Sequence, residues 1–496
     1  MLVIVSDLHL NDQTTSSPMD AGAFEIFAER LHETAFRASW RADGRYRPIE
    51  QIDIVLLGDI LDLVRTREWL RTDQRPWDDP AAPETADAIS RFVDQVLHQN
   101  QAACQVLSSL STDAVLQLPP PTQMGEPAMN AEGLPIAVRT FYMVGNHDWP
   151  LHLPGPRYDM IRHKVAHQLG LANIHNAPFP HDPYESDELL AVLRRHRVVA
   201  RHGDIFDPIN FSEDRDIASL GDAIAINLLT RFTVAIQQQL GNDLPPAVLH
   251  GIQQLDHIRP LLLAPVWLEG LLARSAVRPA IRKEIRRTWD GLADELLQLP
   301  IVREHDSWSP FDIVDGMDRA LKFSKRVSIG WAEKINNWLQ SLRGSEGESY
   351  CQHAISEPDF RNRRARNIVY GHTHLAESIP LDASYADGYV LNQMYFNSGT
   401  WRRVLRQTRW TSSEYEFIPT ECLSMLSFYH GDERGGRPFE TWSGTLATAG
   451  EVATHRVDSG RSHAAEQSIP ASKVPVRAPH FRRSPTHTRS PSGGSF

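Results

Sequence analysis

The chain has 496 residues, 41% hydrophobic and 23% charged, a balance that allows a sizeable buried core and excludes global disorder. Its formal net charge of −11 excludes a global basic field that would draw in nucleic acid or an anionic membrane. The three cysteines, Cys104, Cys351 and Cys422, are too few and too scattered for a disulfide framework or a thiolate metal cage, and they fit a reducing compartment.

In chain order, the apolar run 2–6 reads as a buried strand leading straight into Asp7 and His9. It lacks the basic flank and the length of a secretory signal, so a cytoplasmic location is expected. Phe24, Phe27, Leu31 and Ala35 keep helical spacing over 21–40, and 52–57 is a second strand. The order strand, helix, strand predicts an α/β layered fold. An insertion over 65–139 holds a helix around 85–110, then a loop rich in Pro, Met and Gly; strands follow at 140–144 and 197–201.

A larger insertion, 210–365, reads as almost wholly helical. Leu220, Ile224, Leu228, Phe232, Ile236 and Leu240 form one apolar stripe, and Ile281, Ile285, Trp289, Leu292 and Leu296 another. Both stripes are expected to pack against each other and the main sheet. Arg282, Lys283, Arg286 and Arg287 form a basic face, read as solvated. The most apolar stretch, 261–272, falls short of the roughly 18 residues of a membrane span, is broken by Pro265 and carries Glu269, so no transmembrane segment is expected. A strand is predicted at 367–370. The main domain, 1–431, is thus discontinuous, and 450–496, rich in Ser, Pro, His and Arg, reads as a disordered tail.

Polar clusters stand where these strands end: Asp7-Leu8-His9, Gly58-Asp59, Gly145-Asn146-His147-Asp148, His202-Gly203-Asp204 and Gly371-His372-Thr373-His374. Sites in open α/β sheets form outside the carboxyl ends of strands. Residues two apart at a strand end point the same way, so Asp7 and His9 can share an ion. Carboxylate, imidazole and amide oxygen suit Mn, Fe or Zn, and the adjacent glycines permit tight turns and close approach of a phosphate. Any one cluster alone is commonplace, a turn or a packed histidine. The whole ordered series is not.

That series resembles the signature of the calcineurin-like metallophosphoesterases, with both insertions outside the resemblance. The resemblance implies a four-layer α/β/β/α sandwich and a centre of two divalent metal ions. Asp7, His9 and His374 resemble the ligands of one ion, Asn146, His202 and His372 those of the other, and Asp59 the bridging carboxylate. His147 matches the catalytic histidine that assists the leaving group. A dimetal-activated hydroxide would then hydrolyse a phosphomonoester, phosphodiester or diphosphate bond. Asp62, Asp148 and Asp204 are candidates for orienting the ligand imidazoles.

Asp148 stands where serine/threonine phosphatases of the superfamily carry Glu, which argues against that branch. The series around His202 is similar to UDP-diacylglucosamine pyrophosphohydrolases, except that those carry arginine at the position of His147. The substrates implied are a phosphorylated small molecule, a nucleotide or a lipid-linked diphosphate. A nuclease of the superfamily is disfavoured by the acidic net charge. A non-catalytic scaffold of the same fold is the alternative outside enzymology, and it would be expected to have lost ligands.

Overall fold

The computed structural model describes residues 1–445 except 17–18, 114, 307–311, 324–330, 345–348, 387–388 and 410–414. The expected tail over 450–496 lies outside the described residues. In chain order the strands are β1 (Leu2–Val5), β2 (Gln51–Leu57), β3 (Gln117–Leu118), β4 (Leu134–Pro135), β5 (Ala137–Met143), β6 (Val198–Ala200) and β7 (Ile258–Arg259). They continue with β8 (Asn367–Tyr370), β9 (Ala376–Ala386), β10 (Tyr389–Ser398), β11 (Val404–Arg409), β12 (Tyr415–Thr420), β13 (Leu423–Phe428) and β14 (Phe439–Gly444).

One sheet has the order β14-β13-β1-β2-β5, with β1, β2 and β5 parallel and β13 antiparallel to β1. A second has the order β6-β8-β10-β9, with β6, β8 and β10 parallel. The protein is therefore α/β, and the five strands expected from sequence all form. Val3, Ile54 and Leu56 pack on α1 (Gly22–Ala38) through Phe24, Phe27 and Leu31. Leu2, Ile4, Val55 and Leu57 instead share a cluster with Val198, Ala200, Val369 and Phe396 of the second sheet. Alternation along β1 and β2 thus buries both faces, which is why these strands read as continuous apolar runs.

The structure differs from the sequence expectation in four places. The helix expected around 85–110 is two, α2 (Pro83–Gln99) and α3 (Gln101–Thr112). Asn100 breaks it: its amide donates to Val96 O at 2.7 Å and Asn11 O at 2.8 Å, competing with the helical ladder. The stripe from Leu220 runs through a π-helix, Ile224–Thr230. A strict four-residue repeat drifts by roughly 40° per step on an α-helix, and the wider π turn takes up part of that drift. The large insertion, expected to be almost wholly helical, also carries a two-residue strand, since β7 pairs in parallel with β11. Finally, the compact unit runs to Leu446, past Gly431, because β14 adds an antiparallel strand to β13. Among the described residues no helix is long and apolar enough to cross a membrane.

Candidate metal centre

The loops after β1 and β2 stay bonded beyond the strands: the Asp7 amide donates to Gly58 O at 3.0 Å and that of His9 to Asp59 O at 2.9 Å. Asp7, His9, Asp59, His372 and His374 all adopt positive φ, from 47° to 65°. Such backbone costs of order 1 kcal/mol per residue and collects where a site dictates side-chain direction. The neighbouring glycines leave no room for a side chain. A Cβ on Gly58 would meet His202 Nδ1 at 2.4 Å, and one on Gly145 would meet Asp59 Oδ1 at 2.4 Å.

All seven candidate ligands converge. One ligand atom each of Asp7, His9, Asp59 and His374 lie within 4.8 Å of one another, as do those of Asp59, His202 and His372. Asp59 belongs to both groups. His374 Nε2 is 3.1 Å from Asp7 Oδ1 and 3.1 Å from His9 Nε2. His202 Nε2 is 3.3 Å from Asp59 Oδ2, and His372 Nδ1 is 2.9 Å from Asn146 Oδ1.

Three of the imidazoles are held from outside by one nitrogen, so the other is aimed inward. His202 Nδ1 lies 2.9 Å from Leu57 O, His9 Nδ1 3.3 Å from Asp62 Oδ2, and His372 Nε2 3.2 Å from Asp207 Oδ2. Asp62 uses its other oxygen for His147 Nδ1, at 2.8 Å. Asp62 therefore orients imidazoles, as expected. Asp148 and Asp204 do not. Asp148 accepts from the Gly145 amide at 2.6 Å, the Ile60 amide at 2.7 Å and the Tyr142 hydroxyl, clamping two strand-end loops together, and Asp204 pairs with Arg215 at 2.6 Å. Asp207 takes the role instead; nothing in its sequence context marked it.

The electrostatics are those of charge packed into a dry site. Burial, reinforced by Asp59, pushes the Asp7 carboxyl up to about 7 against the pull of His202. Burial would raise Asp59 too, but His202 and His147 outweigh it and hold that carboxyl well below the usual range. Burial depresses His9 to about 3 and, with Arg259, holds His374 well below the usual range, so both offer lone pairs at neutral pH. Asp7 Oδ1 and His202 Nε2 are buried without a hydrogen-bond partner in the protein. Each such atom costs about 1–3 kcal/mol unless satisfied, and a cation at each of the two ligand groups satisfies them. The donor set fits divalent Mn, Fe or Zn.

A pocket of about 80 Å³ opens on the centre, and the large insertion forms one wall through Arg259, Pro260, Leu261, Arg343 and Tyr350. Arg65, on the loop after β2, also lines the pocket and pairs with Asp256 of the insertion at 2.9 Å. Arg286 and Arg287, on the face read as solvated, are paired with Glu269 at 2.7 Å and Glu284 at 2.8 Å. They are absent from the pocket lining. A larger cleft, about 640 Å³ and including Asp94, His98 and Lys164, touches none of the centre's residues. No protein-family model matches the chain, and no curated protein matches it.

Proposed function

We propose that the chain is a metal-dependent phosphoesterase of the calcineurin-like type, and that its two sheets with their flanking helices form the four-layer α/β/β/α sandwich of that family. The layer reading rests on three apolar clusters: helices against one face of the first sheet, sheet against sheet, and Tyr350 and Ala354 against Ile368 and Tyr370 of the second. The functional reading rests on one observation above all, that Asp59 belongs to two ligand groups at once.

Two divalent ions held there would polarise the phosphoryl oxygens and lower the pKa of a water nucleophile. Asp7, His9 and His374 would hold one, Asn146, His202 and His372 the other, and Asp59 both. His147 lines the pocket, and its Nδ1 is taken by Asp62, which leaves Nε2 to hand a proton to the departing oxygen. Asp62, held well below the usual carboxylate range because His147 outweighs burial, stays ionised and fixes the orientation of that ring. Arg65, Arg259 and Arg343 supply positive charge for the phosphate. A mouth this small suits a phosphorylated small molecule, a nucleotide or the diphosphate of a lipid-linked substrate better than a duplex.

Chelator treatment of the full chain should abolish hydrolysis of p-nitrophenyl phosphate and of its bis-ester, and Mn²⁺ should restore it. Hydrolysis that persists in protein free of metal contradicts the mechanism. Stoichiometric metal without turnover on any phosphoester would mark a scaffold.

A further inference from the structure

A second cluster of metal-ligating side chains lies outside the centre. His152 ends the turn Trp149–His152, which follows the loop of Asn146 and His147; His181 and Glu185 belong to the next loop; Asp216 opens the large insertion. One ligand atom each of His152, His181 and Glu185 lie within 4.8 Å of one another. His181 Nδ1 is 3.0 Å from Glu185 Oε1, and His152 Nε2 is 4.0 Å from Asp216 Oδ1. In a tetrahedral site with bonds of about 2.1 Å, ligand atoms stand roughly 3.4 Å apart. These two spacings bracket that edge, while Asp216 stands outside the group of three and reaches the cluster through His152.

The groups are also anchored as ligands are. His152 Nδ1 lies 2.8 Å from Phe179 O, which turns Nε2 towards Asp216. Glu185 Oε2 accepts the backbone amides of His181 at 2.9 Å and Asp182 at 3.3 Å, leaving Oε1 for the cluster. His181 Nδ1 and Asp216 Oδ1 are both buried atoms without a hydrogen-bond partner. Burial raises the Asp216 carboxyl, so the charged form is uncomfortable without a cation nearby.

We propose that His152 Nε2, His181 Nδ1, Glu185 Oε1 and Asp216 Oδ1 form a structural site for a divalent cation of the zinc type. Two carboxylates balance the dication, and two imidazoles complete a four-coordinate set without thiolate. The site ties the segment that follows His147 to the root of the insertion. Arg215, beside Asp216, already donates to Gly145 O at 3.3 Å. The cation would thus fix how the insertion is seated, apart from any chemistry at Asp59.

The test counts Zn²⁺ ions retained per full-length chain after chelation, reloading and desalting, in the wild type, in His181→Gln and in Asp216→Asn. Each variant should hold one ion fewer than the wild type, whatever number the Asp59 centre holds. The melting temperature of each should also lose part of its response to Zn²⁺. Equal counts in the wild type and in either folded variant overturn the site. Should His181→Gln fail to fold, Asp216→Asn alone decides, since Asp216 is 43% exposed and carries little packing.

Discussion

The strand-end loops and the insertion that walls them in are built in opposite ways. In the loops the backbone is the unusual part: five of the seven candidate ligands adopt positive φ, and glycines beside Asp59 and Asn146 give up side chains so that His202 and Asp59 can approach. In the insertion the backbone is mostly ordinary helix, and what matters is where long side chains end. Arg259 and Arg343, the latter paired with Asp207 at 2.6 Å, reach the pocket, while Arg286 and Arg287 pair with carboxylates away from it. Position relative to the centre, not charge, separates these arginines.

That contrast can be broken most forcefully in the loops. Asp59→Asn should lose metal together with all hydrolysis, whereas His147→Ala should keep close to wild-type metal while kcat falls by roughly 10²–10⁴. The loss should be smaller for a nitrophenol leaving group than for an alkanol. Metal loss in His147→Ala, measured by elemental analysis, would make His147 a ligand. Asp62→Asn comes next. Because Asp62 holds both His9 and His147, metal affinity and kcat should each fall about 10–100-fold. A variant with unchanged affinity would show that His9 needs no anchor.

The insertion should respond more mildly. Arg259→Ala should raise KM about tenfold, the worth of one charged hydrogen bond, while Arg286→Glu with Arg287→Glu should change it less than about twofold. Equal effects would erase the distinction between the two arginine sets. The smallest effect concerns pH. Burial and then Arg402 depress His257, within the insertion, from 6.5 to about 3. The unfolded chain therefore binds this proton first as pH falls. Stability is unaffected above pH 6.5 and declines from there towards about 3, at no more than about 1.4 kcal/mol per pH unit. His257→Asn should flatten that part of a stability-against-pH curve, and an unchanged slope would rule the group out.

The same contrast explains what could be read from the sequence. The candidate ligands were legible as a converging set because each follows a short apolar run within one to four residues, so strand and site share a single local pattern. Asp207 and the pocket arginines were not, because topology alone brings Arg65, Arg259 and Arg343 to one opening from distant segments. The strands from Ala376 onward were missed for a local reason. β9 contains Pro380, which marks a segment as loop in sequence, yet β9 is an edge strand of its sheet, where a missing amide is tolerated. Asp148 was misjudged because a carboxylate next to a catalytic motif and one that clamps loops look alike until the Tyr142 hydroxyl and Gly145 amide are in place.

The central claim is that one carboxylate, Asp59, joins two ions. Electron paramagnetic resonance of the Mn²⁺-loaded chain tests it most directly, because ions bridged at roughly 3.5–4 Å are exchange-coupled and isolated ions are not. The wild type should give the broad multiline spectrum of a coupled pair once about two equivalents are bound. The isolated six-line signal of single Mn²⁺ ions at every loading would contradict the bridged centre.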